Sequence, residues 1–92
     1  MLYWQKPLVY RISPKSGPLR SMETLFDANQ ALLNDLPKGF MRRAHWLAAA
    51  SLLVRAAESG TDHDIEVATD VLLNAVENEG WMSRGPNPAR RE

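Results

Sequence analysis

The stretch MRRAHWLAAASLLVRAAESG, residues 41–60, decides the fold of this chain. Two arginines, a histidine and a tryptophan lead into a run of alanines and leucines. Alanine has the highest helix propensity, and glycine commonly follows the last turn of a helix. The stretch therefore predicts a helix over residues 41–59. Because its apolar residues do not fit on one face, we expect this helix to lie between other elements and to be largely buried.

The same stretch is too short to cross a membrane. Its least interrupted apolar run, residues 46–54, contains Ser51, whereas a spanning helix needs about 20 apolar residues. The first ten residues, MLYWQKPLVY, lack the basic segment and apolar run of a signal peptide. We therefore expect no membrane association and a cytoplasmic location.

The basic entrance of this helix holds the candidate site. Arg42, Arg43 and His45 form a possible anion- or partner-binding group, with Arg42 and His45 on one face and Arg43 on another. Basic side chains at a helix N-terminus oppose the helix dipole. We therefore predict a nearby acid, from the third helix or from a partner. No residue at helical spacing completes a nucleophilic arrangement with His45, so a structural or surface role for the histidine is the simpler interpretation.

The chain before this helix predicts a β-hairpin and a short helix. Residues 6–13 alternate, which places Leu8, Tyr10 and Ile12 on one strand face. The turn formers of residues 13–18 and a return strand over residues 19–22 complete an antiparallel pair. Ser21 is predicted to cap a helix from Met22 that ends at Leu36 and Pro37. Its expected apolar stripe is Leu25, Ala28, Leu32 and Leu36, widened by Phe26 and Leu33.

The chain after this helix predicts a third helix and a tail. Thr61 or Asp62 is expected to cap it, and Gly80 to end it. Its apolar stripe is Ile65, Ala68, Leu72, Ala75, Val76 and the stem of Glu79, with Trp81 and Met82 folding back on the core. Residues 83–92 predict a flexible polar tail. The fold class is thus α+β: one domain over residues 1–82, with a two-stranded N-terminal hairpin on three helices (ββααα).

The formal net charge is zero, but the charges are segregated along the chain. Residues 1–55 hold eight basic and three acidic residues, residues 56–83 hold seven acidic residues and no Lys or Arg, and the tail is basic. Such segregation either steers complementary surfaces together or solvates opposite sides of the fold. A nucleic-acid partner at Lys38, Arg42, Arg43 and the basic tail is an alternative. The zero net charge and the apolar second helix make it the weaker one.

The sequence carries no pattern typical of catalysis or of cofactor binding. It has no cysteine, no glycine-rich phosphate loop and no paired carboxylates tied to a fold. Asp62, His63 and Asp64 are too few ligands for a metal site, and helix capping already explains the aspartates. We therefore expect no cofactor, no metal and no small-molecule ligand, and an enzyme is the third functional interpretation, after an interaction module and a nucleic-acid-associated regulator.

Several segments in order resemble a known family. They are WQKPLVYRI, SMETLFDANQALLNDLP, RRAHWLAAASLLVRAAESG and the ending AVENEGW. Together they resemble the short bacterial proteins of domain-of-unknown-function family 982. The chain departs from that pattern at Leu36-Pro37, where the family tends to have Trp-Pro, and at Ala68-Thr69, where it tends to have Ala-Arg. The resemblance implies a β-hairpin with three helices and carries no activity.

These observations favour a small cytoplasmic binding or interaction module. A hairpin with a free edge and a small core favour self-association, so the expected partner is a second copy or another protein. The expected homodimer would form by edge pairing or through a helix face that carries complementary charges.

Overall fold

The computed structural model describes residues 2–82 and has the predicted α+β order of two antiparallel strands and three helices. Its elements are β1 (Pro7–Ile12), β2 (Met22–Thr24), α1 (Leu25–Gln30), α2 (Ala44–Ser59) and α3 (Asp62–Asn78). A π-helical turn, Ala31–Asp35, continues α1, and a 3-10 turn, Phe40–Arg42, precedes α2. The predicted tail, residues 83–92, lies outside the described residues. Among residues 2–82, no helix combines the length and apolarity that a membrane crossing requires.

The two long helices form an antiparallel pair. α2 has 16 residues and α3 has 17, so each is about 25 Å long. Only Gly60, in the left-handed conformation, and the N-cap Thr61 connect them. A connection this short returns α3 along α2, and the C-terminus of α3 therefore meets the N-terminus of α2. The packed sides are rich in fully buried small residues: Ala49, Ala56, Ala57, Ala68 and Ala75.

The prediction that the central helix is largely buried is wrong for one of its sides. Its buried residues are Trp46, Ala49, Leu53, Ala56 and Ala57. Leu47 and Val54 are 51% and 44% exposed, and Ala48 and Ser51 are exposed too. In the described chain, the neighbouring elements cover only one side of α2. The apolar residues that the sequence distributes around this helix therefore divide into a core side and an open side.

The predicted start of the first helix is also wrong. Residues Met22–Thr24 pair with β1, and the N-cap is Thr24 rather than Ser21. The Thr24 hydroxyl accepts the backbone N–H of Asp27 at 3.0 Å, and the Asp27 carboxylate accepts the N–H of Thr24 at 3.3 Å. This reciprocal capping box satisfies two backbone donors at once, which fixes the start at Leu25. The predicted end is confirmed, since Leu36 has extended backbone ahead of Pro37.

The apolar stripe of α1 and the strand face of β1 are only partly as predicted. Leu25, Ala28 and Leu32 are buried, but Phe26 and Leu33 are 50% and 69% exposed. On β1, Leu8 and Ile12 are buried, whereas the exposed Tyr10 donates its hydroxyl to Asp70 of α3 at 2.9 Å. The register between the strands shifts between Pro7 and Ile12, and this irregularity breaks the simple alternation.

Trp81 returns to the core after α3, as the sequence predicts, and holds the hairpin loop. Its carbonyl accepts the backbone N–H groups of Lys15 and Ser16 at 2.9 and 3.1 Å. Its ring packs against Trp46 and stacks on Phe40, with ring centroids 5.9 and 5.7 Å apart. Gly17 lies directly against this ring, with φ +81°. One residue thereby joins the β-hairpin, α2 and α3.

Replacement of Gly17 by alanine tests this contact. A Cβ there would overlap Cγ of the Trp81 ring, and the backbone of the alanine would have to stay left-handed. Gly39 is the matched control, because its φ is +92° and a Cβ would meet nothing within 4 Å. Gly39→Ala should lower the free energy of unfolding by about 1–2 kcal/mol from backbone strain alone. Gly17→Ala should cost clearly more in urea unfolding, and equal losses would show that the Trp81 contact contributes nothing.

Candidate functional site

The carboxylate of Glu79, at the C-terminus of α3, accepts hydrogen bonds from side chains at the N-terminus of α2. The Arg43 Nη1 donates to both of its carboxylate oxygens at 2.8 Å, and the Trp46 Nε1 donates to Oε2 at 2.9 Å. His45 Nε2 lies 3.0 Å from the same Oε2. An ionised carboxylate only accepts, so His45 donates through this nitrogen. The prediction that an acid of the third helix lies beside the basic entrance is thus confirmed for Arg43.

The lengths of the two helices place these groups together. Arg43 is the N-cap of α2, and His45 and Trp46 lie in its first turn. Glu79 is the C-cap of α3, and α3 is only one residue longer than α2. An acid at its own helix C-terminus opposes that dipole, but here the carboxylate lies at the positive end of the neighbouring helix. The antiparallel pairing therefore stabilises the position of Glu79.

Aromatic rings enclose this carboxylate. Trp46 is fully buried, and the Glu79 side chain is 9% exposed. The guanidinium of Arg43 lies over the Phe40 ring at 4.1 Å and completes a cation–π contact. The 3-10 turn before α2 thus positions both the ring and the cation. We call Arg43, His45, Trp46 and Glu79 the Glu79 cluster.

The charge of Glu79 is stabilised within the cluster. Burial alone would raise its pKa, but hydrogen bonds from Trp46, His45 and Arg43, together with the charge of Arg43, hold the pKa below its ordinary value. The anionic carboxylate therefore compensates the cation of Arg43. This arrangement leaves little positive potential there for an external anion.

The structure brings together two of the three predicted site residues. Arg43 and His45 share Glu79, whereas Arg42 lies on the exposed outside of the 3-10 turn. Within residues 2–82, no side-chain hydrogen bond or ion pair engages Arg42. Trp46 and Glu79 belong to the cluster, although the sequence interpretation placed both only in the core. The sequence signal for this pairing was a basic start of one helix and an acidic end of the next, in two helices of nearly equal length.

The aspartates flanking His63 lie in the first turn of α3, where capping was predicted. Thr61 accepts the N–H of Asp64 at 3.2 Å, and Ser59 donates to the Asp64 carboxylate at 2.6 Å. The hydrogen bond from Ser59 is the main cause that lowers the pKa of Asp64. Over residues 2–82, no three His, Asp or Glu side chains gather in a way that would hold a metal ion.

Two surfaces of residues 2–82 are considered as binding surfaces. One is a groove of about 520 Å³ between residues 6–9 and the start of α3, where Asp62, Ile65 and Glu66 line it. Lys6 in this groove already donates to the Gly60 carbonyl at 2.8 Å. The other is the exposed side of α2, which we call the outer face of α2 and define as Ala44, Leu47, Ala48, Ser51, Val54, Arg55 and Glu58. Its spacing of three and four residues places these side chains along one stripe.

Comparisons with protein family models, with curated proteins and with solved structures found no match to this chain. The resemblance to family 982 therefore rests on the order and spacing of the sequence segments alone.

Replacement of Glu79 by glutamine should destabilise the fold. The amide keeps the shape but places an NH₂ donor among three donors, and a lost charged hydrogen bond costs about 1.5–3 kcal/mol. Glu77→Gln is the control, because it removes an equal charge from an exposed position of the same helix. Urea unfolding should show a loss of about 2 kcal/mol for Glu79→Gln and little for Glu77→Gln. Equal stability of the two variants would contradict a stabilising role for the cluster.

The contribution of Glu79 should also depend on pH. Its pKa is lowered on folding, so the stabilisation is fully present above the unfolded value of about 4.3 and is lost as the pH falls through the folded value. The difference in unfolding free energy between the wild type and Glu79→Gln should therefore shrink below about pH 4. Unfolding titrations at several acidic pH values measure this, and a constant difference would contradict it.

Proposed function

We propose that this chain is a small protein-interaction module that binds its partner through the outer face of α2. The observation that carries the proposal is the half-exposed pair Leu47 and Val54 on one stripe with the exposed Ala48 and Ser51. A contiguous exposed apolar stripe on a folded domain is typical of a protein-binding surface. The helix is anchored on its other side by fully buried residues, so it presents this stripe on a rigid element.

The Glu79 cluster supports a structural role rather than a chemical one. Its carboxylate accepts from three side chains, and these contacts join α2 to α3. The proposed binding surface lies on the same helix, so the cluster fixes the position of α2 relative to the rest of the domain. The cluster would therefore serve binding indirectly, by holding the helix that carries the outer face.

Nucleic acid is the alternative partner, at Lys38, Arg42, Arg43 and the tail arginines. The charge of Arg43 is already paired with Glu79. The tail lies outside the described residues. Phosphate binding depends on several clustered cations, so the remaining described cations, Lys38 and Arg42, support this alternative weakly.

Membership of family 982, a bacterial origin and a cytoplasmic location are part of the same proposal and are supported by the sequence pattern. Thr69, where the family tends to have arginine, is fully buried. Its hydroxyl donates to the Ile65 carbonyl at 2.7 Å and accepts the N–H of Val9 at 3.3 Å. A larger, charged arginine would not fit this position without rearrangement. Thr69 therefore cannot take over a role that this arginine has in the family.

Leu47→Glu should abolish partner binding without unfolding the domain. A charge placed in a desolvated interface costs several kcal/mol of binding free energy, whereas it is tolerated on a free surface. Val9→Glu is the matched control, because Val9 is 54% exposed and lies in the groove beside α3. The tagged wild type and both variants are used to capture partners from the cells that make the protein. Recovery should fall at least about tenfold for Leu47→Glu only.

Other results of this capture experiment would place the binding surface outside the outer face of α2. A partner that all three baits recover equally, or that only Val9→Glu loses, would exclude the outer face of α2 as the binding surface. Random duplex DNA is tested in parallel: binding that weakens with salt and is lost in Arg42→Glu would support the nucleic-acid alternative instead.

A further inference from the structure

We infer that the occupant of the outer face of α2 is the same face of a second copy, packed antiparallel about a two-fold axis near Ser51. This inference rests on the proposed function, because it names the partner of the surface proposed there. A two-fold interface is self-complementary, so each position of the face must suit the position that it meets in the other copy. The face can therefore be examined for this property from its sequence and exposure.

The size pattern of the face suits an antiparallel copy. Ser51 and Ala48 are small and lie in the middle, while the larger Leu47 and Val54 lie on either side. With the axis near Ser51, Leu47 of one copy meets the neighbourhood of Val54 of the other. Small central residues let two helices approach to about 8 Å, and the larger apolar pair then closes both flanks.

The charges at the ends of the face also suit this direction. Arg42 lies just before the N-terminus of α2, and Glu58 lies in its last turn, both exposed. An antiparallel copy places Arg42 of each chain near Glu58 of the other and opposes the two helix dipoles favourably. A parallel copy would place Arg42 near Arg42 and Glu58 near Glu58.

Of the other cations near these ends, Arg43 already pairs with Glu79 within the chain. Arg55 is exposed and lies one helical turn before Glu58. Arg42 and Glu58 form the one complementary pair that joins opposite ends of the two helices in the antiparallel arrangement. The groove beside α3 shows no comparable complementarity, and its lining residues do not indicate which partner would cover it.

The size of the face sets the expected affinity. One pair of helices about 24 Å long buries less than the roughly 1,600 Å² of a standard stable interface. The dimer should therefore be weak and should form at micromolar concentrations. Sedimentation velocity over a concentration series is the first measurement, with Val9→Glu as the variant that should behave like the wild type and Leu47→Glu as the one that should stay monomeric.

Disulfide cross-linking tests the direction. The chain has no cysteine, so single replacements report on one pair of positions. Under mild oxidation, an equimolar mixture of Leu47→Cys and Val54→Cys should form the mixed dimer, and Ser51→Cys should link to itself, because these positions meet near the axis. Leu47→Cys alone should link poorly, and Val9→Cys should not link. Efficient linking of Leu47→Cys to itself, above the mixed product, would establish a parallel pair and overturn the inference.

Charge reversal gives an independent readout. Arg42→Glu or Glu58→Arg alone should weaken the dimer about two- to tenfold, because each pair is surface-exposed and occurs twice by symmetry. The double variant Arg42→Glu/Glu58→Arg should regain the wild-type affinity. Failure of the double variant to recover, after both single variants weaken the dimer, would overturn the antiparallel contact.

The two proposals fail separately. If the wild type stays monomeric at several hundred micromolar and Ser51→Cys does not link, the second copy is excluded as the occupant. Capture of a different protein that Leu47→Glu alone loses would still support the proposed function. If the wild type neither self-associates nor captures a protein through the outer face of α2, both proposals are overturned.

Discussion

The fold depends on the antiparallel pairing of α2 and α3. Their nearly equal lengths and two-residue connection bring the end of α3 back to the start of α2. This return places Glu79 among the donors of Arg43, His45 and Trp46, and it places Trp81 where the hairpin loop can hydrogen-bond to it. The hairpin loop is therefore attached at this end of the helical pair, whereas residues 6–9 lie beside the start of α3 at the other end. A carboxylate that would be unfavourable at an isolated helix C-terminus becomes favourable through the dipole of its neighbour.

The order of the elements follows from local patterns, and the sequence predicts it well. Gly60, Thr61 and the Leu36–Pro37 step mark helix ends by their own backbone preferences, without help from tertiary contacts. The start of α1 was missed because two hydroxyl residues three positions apart, Ser21 and Thr24, are both acceptable caps. Only Thr24 has an acid three residues later that can reach back to the cap, and Met22 is fully buried as a strand residue.

The site was predicted in part for a different reason. Basic residues at a helix N-terminus require compensation, which predicts an acid but does not say which one. Residues 56–83 hold seven acidic residues, and the choice of Glu79 depends on the exact lengths of α2 and α3. The segregated charges of the chain are joined here by Arg43 and His45. The other two ion pairs of residues 2–82, Arg11–Glu23 and Arg20–Asp35, lie within the first 55 residues.

The exposure of α2 follows from the number of elements rather than from its own sequence. A helix that is apolar around most of its circumference needs neighbours on most sides. A domain of this size buries only about 60–70% of its unfolded surface, and the elements of residues 2–82 pack on one side of α2. The apolar pattern of a helix therefore indicates how much of its surface favours burial. It does not indicate whether the burial comes from elements of the same chain or from a partner. The apolar residues that remain exposed on α2 are those that the proposed partner would cover. Partner binding therefore explains why residues 41–60 contain more alanine and leucine than the core of one chain buries.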